Sequence, residues 1–218
     1  MAEETYKLIY FDLKARAEPA RAMFFMAGQK FEDVRILFQD WGKLKTQTPL
    51  GFLPILETSK GALSQTSAIN YYLANKLGFL PEDEYEKAQS NSISLTITDL
   101  GNHLLEHILL SELYKLRPSP NDIEEKKKTV REKLIQTQSF VETFCKNGNK
   151  FIFGDKVTVS DIELFTLWTF ISPIYPLAEF KNAWLEEFMD NMKADPKFAE
   201  YLAQQSPDIV DRLLQKGV

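Results

Sequence analysis

Signals for β-strands are confined almost entirely to the residues before Pro81, and beyond it long helical periods take over. A chain ordered this way folds as a small α/β unit followed by an all-helical one. Lys7 to Phe11 is a short apolar run rich in β-formers and reads as a strand. Ala17 to Gly28 reads as a helix, bracketed by Pro19 near its start and Gly28 at its end, with Ala20, Met23, Phe24 and Ala27 on one face. Phe31 to Phe38 alternates partly and reads as a second strand, whereas the polar, proline and glycine signals of residues 41–52 predict irregular chain. Leu53 to Glu57 is a third strand, Ser59-Lys60-Gly61 a turn and Ala62 to Ser64 a short fourth strand. Thr66 is the expected N-cap of a helix from Ser67 to Leu77 that Gly78 closes. The order βαβ then ββα occupies residues 1–78, a linker spans 79–83, and a helical domain fills 84–218. Helices are expected there over roughly 84–116, 121–146, 158–172 and 182–193.

Several function classes drop out on composition. A net charge of −5 argues against nucleic acid and anionic membrane as partners, since both are polyanions. No run of about 18 apolar residues is present to span a bilayer. Cys145 stands alone, so neither an intramolecular disulfide nor a C-x-x-C redox pair can form. The start, Met1 to Thr5, is acidic and polar, unlike a secretory or mitochondrial leader, and the expected compartment is the cytosol. Neither a G-x-G-x-x-G run nor a P-loop occurs. His103-Leu104-Leu105-Glu106-His107 does match the H-x-x-E-H pattern of inverted zinc proteases. Its two histidines share a helix face, but no third ligand accompanies them, and no metal is expected.

The motifs that remain form an ordered set. Tyr10-Phe11 closes the first strand and Arg16-Ala17-Glu18 opens the first helix. Phe38-Gln39-Asp40-Trp41, Leu53-Pro54-Ile55-Leu56 and Ser64-Gln65-Thr66-Ser67-Ala68-Ile69 follow, and Gly154 to Asp161 comes late in the chain. In order and spacing these resemble the cytosolic glutathione transferases across essentially the whole chain. Within that family the resemblance points to the sigma class, which includes glutathione-dependent prostaglandin D synthases and squid lens crystallins. It implies a thioredoxin-like first domain, glutathione as co-substrate, a homodimer and the detoxifying conjugation of hydrophobic electrophiles.

It also implies roles residue by residue. Tyr10 matches the tyrosine whose hydroxyl donates to the glutathione sulfur. A thiol with a pKa near 8.5 is only a few per cent ionised at neutral pH, and lowering it by two units takes roughly 2.7 kcal/mol of differential stabilisation. Arg16 matches a cation beside the same sulfur. The family commonly has glycine between two basic residues here, and this chain has Lys14-Ala15-Arg16. Pro54 matches the cis-proline that presents the backbone of Leu53 to the cysteinyl part of glutathione. Gln65 and Thr66 match the pair at a helix start that holds the γ-glutamyl carboxylate. Trp41 and Lys45 match residues gripping the glycyl carboxylate. Phe52 stands where relatives often have lysine, so only its backbone is implied. Asp99 matches an acid that reaches across the dimer toward the glutamyl amine. The electrophile is expected between Phe11, Leu13 and the second domain, with His103 and His107 as further pocket candidates. Three other activities share this framework: isomerisation to prostaglandin D, peroxidase action on lipid hydroperoxides, and non-enzymatic binding of the crystallin kind. Gly101 to Glu106 lacks the aromatic residue that shapes the prostaglandin pocket.

Thr158-x-x-Asp161 is a helix capping box, with Val157 and Ile162 placed as its hydrophobic staple, and serves folding.

Overall fold

The computed structural model describes residues 4–104, 121–145 and 148–205. Four strands form one mixed sheet in the order β2-β1-β3-β4: β1 (Tyr6–Phe11), β2 (Glu32–Ile36), β3 (Ile55–Thr58) and β4 (Gly61–Ser64). β1 runs parallel to β2 and antiparallel to β3, and β3 runs antiparallel to β4. Helix α1 (Glu18–Met26) makes the crossover between β1 and β2, as a parallel pair requires. Strand alternation sends Tyr6, Leu8 and Tyr10 to the buried face of β1, and Lys7, Ile9 and Phe11 to the other.

The expected strand over 31–38 is shorter, because its end residues leave the ladder to pack. Phe31 stacks on Phe24 at 4.3 Å between ring centres, and Phe38 on Phe11 at 4.7 Å. Residues 41–52 hold more order than expected, including the single-turn helix α2 (Trp41–Leu44). Helix α3 (Thr66–Leu77) begins one residue early. Gln65 occupies the N-cap with φ 78° and ψ 121°, makes no side-chain cap, and Thr66 is the first helical residue. The expected cap at Thr66 is thus displaced by the unusual backbone of Gln65. Gly78 closes the helix with φ 82°, a left-handed conformation that suits glycine.

The second half contains α4 (Glu84–Leu104), α5 (Ile123–Glu142), α6 (Val159–Ile171), α7 (Ala183–Ala194) and α8 (Pro196–Ala203). α8 was not anticipated, although Asp195 caps it by accepting from the Phe198 N–H and Pro196 opens it. The Thr158–Asp161 capping box forms as expected. α6 is the central helix of this half and is buried almost all round. It packs against α1, α3 and α4, so it belongs to both halves of the molecule. The Val159 N–H donates to the Phe79 carbonyl at 2.9 Å, and the Tyr201 hydroxyl of α8 to Glu18 of α1 at 2.7 Å.

Candidate functional site

A cleft opens where β1, the turn 15–17, α3, α4 and α6 converge, and encloses about 670 Å³, its open mouth included. Tyr10, Ala15, Arg16 and Thr66 line it from the first half. Ile97, Thr98, Gly101 and Leu104 line it from α4, and Glu163, Thr166, Leu167 and Phe170 from α6. One wall therefore offers polar groups and the other is mostly apolar, an arrangement suited to a polar ligand beside a hydrophobic one.

The local sequence explains each placement. Tyr10 is near the end of β1 and only 5% exposed, its ring 5.6 Å from Phe11. Arg16 sits in a one-turn 3-10 helix and donates from Nη2 to Asn102 Oδ1 of α4, bridging the two halves. Its neighbour Ala15 has φ 38°. That is the left-handed region favouring glycine, the residue the family commonly carries there. At α3, the Gln65 carbonyl accepts from the Ile69 N–H at 2.9 Å, leaving the N–H groups of the first turn without intrahelical partners. Ser67 and Thr98 share a hydroxyl hydrogen bond of 2.8 Å that fixes this turn against α4.

Other sequence candidates surround the cleft without lining it. The Leu53–Pro54 bond is cis, as expected, and Leu53 is buried. Lys45 folds along the Gly51 backbone, next to the exposed Phe52; a Cβ built on Gly51 would meet Lys45 Cε at 3.6 Å. Trp41 packs edge-on against Phe11 at 5.5 Å. Phe11 therefore spends its ring on Phe38 and Trp41, on the sheet face opposite Tyr10. Leu13 is buried, and its carbonyl accepts from Arg21. Asp99 and His103 lie together in a separate groove between α4 and α5. His107 lies outside the described residues. Among the described residues no group of three or more metal-ligating side chains occurs.

Sequence reasoning missed the polar residues Asn70, Thr98, Glu163 and Thr166 of the cleft lining and Asn102, the partner of Arg16. Glu163 is fully enclosed, and burial pushes its carboxyl up to about 7, against the pull of donors from Asn70 and Ser94. One signal could have found it. It is a lone carboxylate in the apolar run Ile162 to Phe165, where an unpartnered charge is costly.

Comparison with known proteins gives the same frame. Residues 6–75 match the glutathione S-transferase N-terminal domain and residues 106–205 the C-terminal domain. Glutathione S-transferase 4 of Caenorhabditis elegans is 31% identical, covering 94% of this chain and 99% of its own length. The class-mu 28 kDa isozyme of Schistosoma japonicum is 32% identical, with coverages of 91% and 97%. The solved Nu-class enzyme of Haemonchus contortus superposes with a TM-score of 0.79 at 28% identity, covering 93% of this chain and 98% of that one. The classes these names carry are mu and nu, so the similarity reaches the family and not specifically the sigma class. With a thioredoxin-like sheet, a helical second half and these matches along nearly its whole length, the chain belongs to the glutathione S-transferase family, whose co-substrate is glutathione.

Proposed function

We propose that the chain ionises the thiol of glutathione through the Tyr10 hydroxyl and directs the thiolate onto hydrophobic electrophiles held against α4 and α6. The observation that carries this reading is the convergence of Tyr10, Arg16 and Thr66 on one cleft whose far wall is mostly apolar. In it, the open first turn of α3 receives the γ-glutamyl carboxylate at Gln65 and Thr66. Leu53 pairs by its backbone with the cysteinyl unit, and Trp41 and Lys45, with the Phe52 backbone, hold the glycyl end. Arg16 adds a positive charge that favours the thiolate. Most of the acceleration comes from the activated sulfur and from holding both reactants together. Burial pushes the Cys145 thiol up, so the protein's own cysteine is a poor nucleophile.

The test is an absorbance titration of bound thiolate against pH in the wild type and in Tyr10→Phe. We expect loss of the hydroxyl to raise the bound thiol's pKa by about one to two units. Equal values in the two proteins would remove Tyr10 from the chemistry.

The finer reading has four further parts. The sigma-class character rests on Tyr10-Phe11 and the Arg16 turn. The division of the chain into 1–78 and 84–218, joined by 79–83, follows the end of α3 and the start of α4. A cytosolic location fits a chain with one cysteine; no helix among the described residues is long and apolar enough to cross a membrane. Homodimerisation is supported by apolar side chains left exposed beside the α3–α4 groove, with Tyr71 at 44% and Leu95 at 51%. In the dimer, Asp99 would face the partner's site. Leu95→Glu should convert the protein to monomer in sedimentation equilibrium, and a monomeric wild type would end this part of the reading.

A further inference from the structure

Glu163 and Asp161 lie two residues apart on α6, both enclosed, and are hydrogen-bonded in opposite ways. Asp161 accepts through both oxygens: Oδ1 from the Ile152 N–H at 2.8 Å, and Oδ2 from the N–H and hydroxyl of Thr158 at 2.8 and 2.6 Å. Those three donors suit a carboxylate and work against the burial that raises Asp161 to about 6. Glu163 instead takes both its donors on one oxygen. Oε1 accepts from Asn70 Nδ2 at 2.6 Å and from the Ser94 hydroxyl at 2.8 Å, while Oε2 is buried without a partner. Asn70 Oδ1 is likewise buried and unpartnered. Two planar groups are thus joined through one pair of atoms, and the other atom of each is an orphaned acceptor. A buried acceptor without a donor is costly, and two in one contact are costlier. A single proton on Oε2 removes the mismatch, since Oε1 then acts as the carbonyl oxygen and Oε2 as a donor.

We propose that Glu163 is a positioning residue that works as a neutral acid, donating from Oε2 to Asn70 Oδ1 to close a two-bond acid–amide ring between α6 and α3. Asn70 is one helical turn beyond Thr66, on the same face of α3. The ring therefore holds the helix end that receives the γ-glutamyl carboxylate in the reading above, on which this inference rests. Losing the proton leaves three acceptor atoms and one amide donor in the contact, and the turn carrying Thr66 is no longer held. A charged floor would also oppose a thiolate in the same cleft.

Among the described residues, few titratable groups face Glu163: Tyr10 of β1 lines the same cleft. α3 presents Asn70 and α4 presents Ser94, both uncharged. On α6 itself Asp161 accepts from Thr158 and Ile152, and burial raises it to about 6, so its titration centres below that of Glu163. From α1, Glu18 and Arg21 bond each other at 3.3 Å, and Arg16 on the adjoining turn engages Asn102. The acids of α7 on the next flank, Glu186, Glu187 and Asp190, are exposed. Burial with few donors pushes Glu163 up to about 7, so the ring opens close to neutral pH.

The test uses S-methylglutathione, which has no thiol to titrate, and calorimetry at about pH 6 and about pH 8. We expect wild-type affinity to fall roughly threefold or more over that interval, and Glu163→Gln, whose amide supplies a permanent donor, to bind with no such fall. An equal fall in both proteins, or a flat wild type, would overturn the proposal. Should the Gln variant not fold, the wild type decides alone. The infrared carbonyl band of protonated carboxyl groups must keep a component that vanishes only as the pH rises through neutrality, above the range around pH 6 in which Asp161 loses its proton, and the absence of that component overturns the proposal. Failure of the wild type to bind S-methylglutathione at either pH would instead sink the glutathione reading, and the infrared band would still decide the protonation of Glu163.

Discussion

Ala15 holds a backbone that its side chain disfavours. An L-residue in the left-handed region costs on the order of 1 kcal/mol, and φ 38° lies there. The turn is retained because it aims Arg16 at Asn102 and the cleft. Ala15→Gly should therefore be neutral or raise stability by up to about 1 kcal/mol in urea denaturation, the relief partly offset by the freer unfolded chain. A clear loss would mean that the alanine methyl, which lines the cleft, contributes packing worth more than the strain. Individual residues were legible where a motif is local in sequence. Tyr10, Arg16 and Thr66 sit in short runs that carry their own signature, and all three reach the cleft. Asn70 and Glu163 are 93 positions apart, and nothing near either one names the other. The placement of Phe11 follows from strand alternation, which turns it to the face opposite Tyr10, where it packs on Phe38 and Trp41.

At the scale of elements, the start of α6 shows how much one cap can hold. Thr158 and Asp161 make the reciprocal capping box, and Asp161 additionally ties down the Ile152 N–H of the preceding turn. Removing the threonine side chain should cost about 1 kcal/mol, the usual value of a cap. Asp161→Ala should cost roughly 3 kcal/mol, because it leaves the buried N–H groups of Ile152 and Thr158 without acceptors. Urea midpoints of the two variants check the difference, and equal losses would mean that the Ile152 bond adds nothing. This box was readable beforehand because its parts lie within four consecutive residues. The start of α3 was misplaced by one position because no residue-type rule anticipates a glutamine at φ 78°. α8 was missed because eight residues span little more than two turns, too short for periodicity to speak. Its cap and proline were the signals available.

For the molecule as a whole, α6 is the element on which both halves close, and its two acids make that closure sensitive to pH. Burial raises Asp161 from 3.8 to about 6 and Glu163 from 4.5 to about 7. A carboxyl raised on folding binds its proton more tightly in the native state than in the unfolded chain. Its contribution is therefore complete below the unfolded pKa and is lost as the pH climbs through the folded one. For Asp161 that loss runs from about pH 4 to about pH 6, and for Glu163 from about pH 4.5 to about pH 7. Both trends oppose acid unfolding, in which carboxylates with lowered pKa values lose their partners as the pH falls. The Glu163 shift corresponds to stabilisation on the order of 3 kcal/mol at acid pH that is absent above neutrality. Denaturant midpoints should accordingly decline between about pH 5 and about pH 8, and Glu163→Gln should flatten the upper part of that decline while leaving the part owed to Asp161. A wild-type midpoint that instead rises across the interval would mean that Glu163 keeps its charge on folding, and that α3 is held to α6 by contacts other than a shared proton.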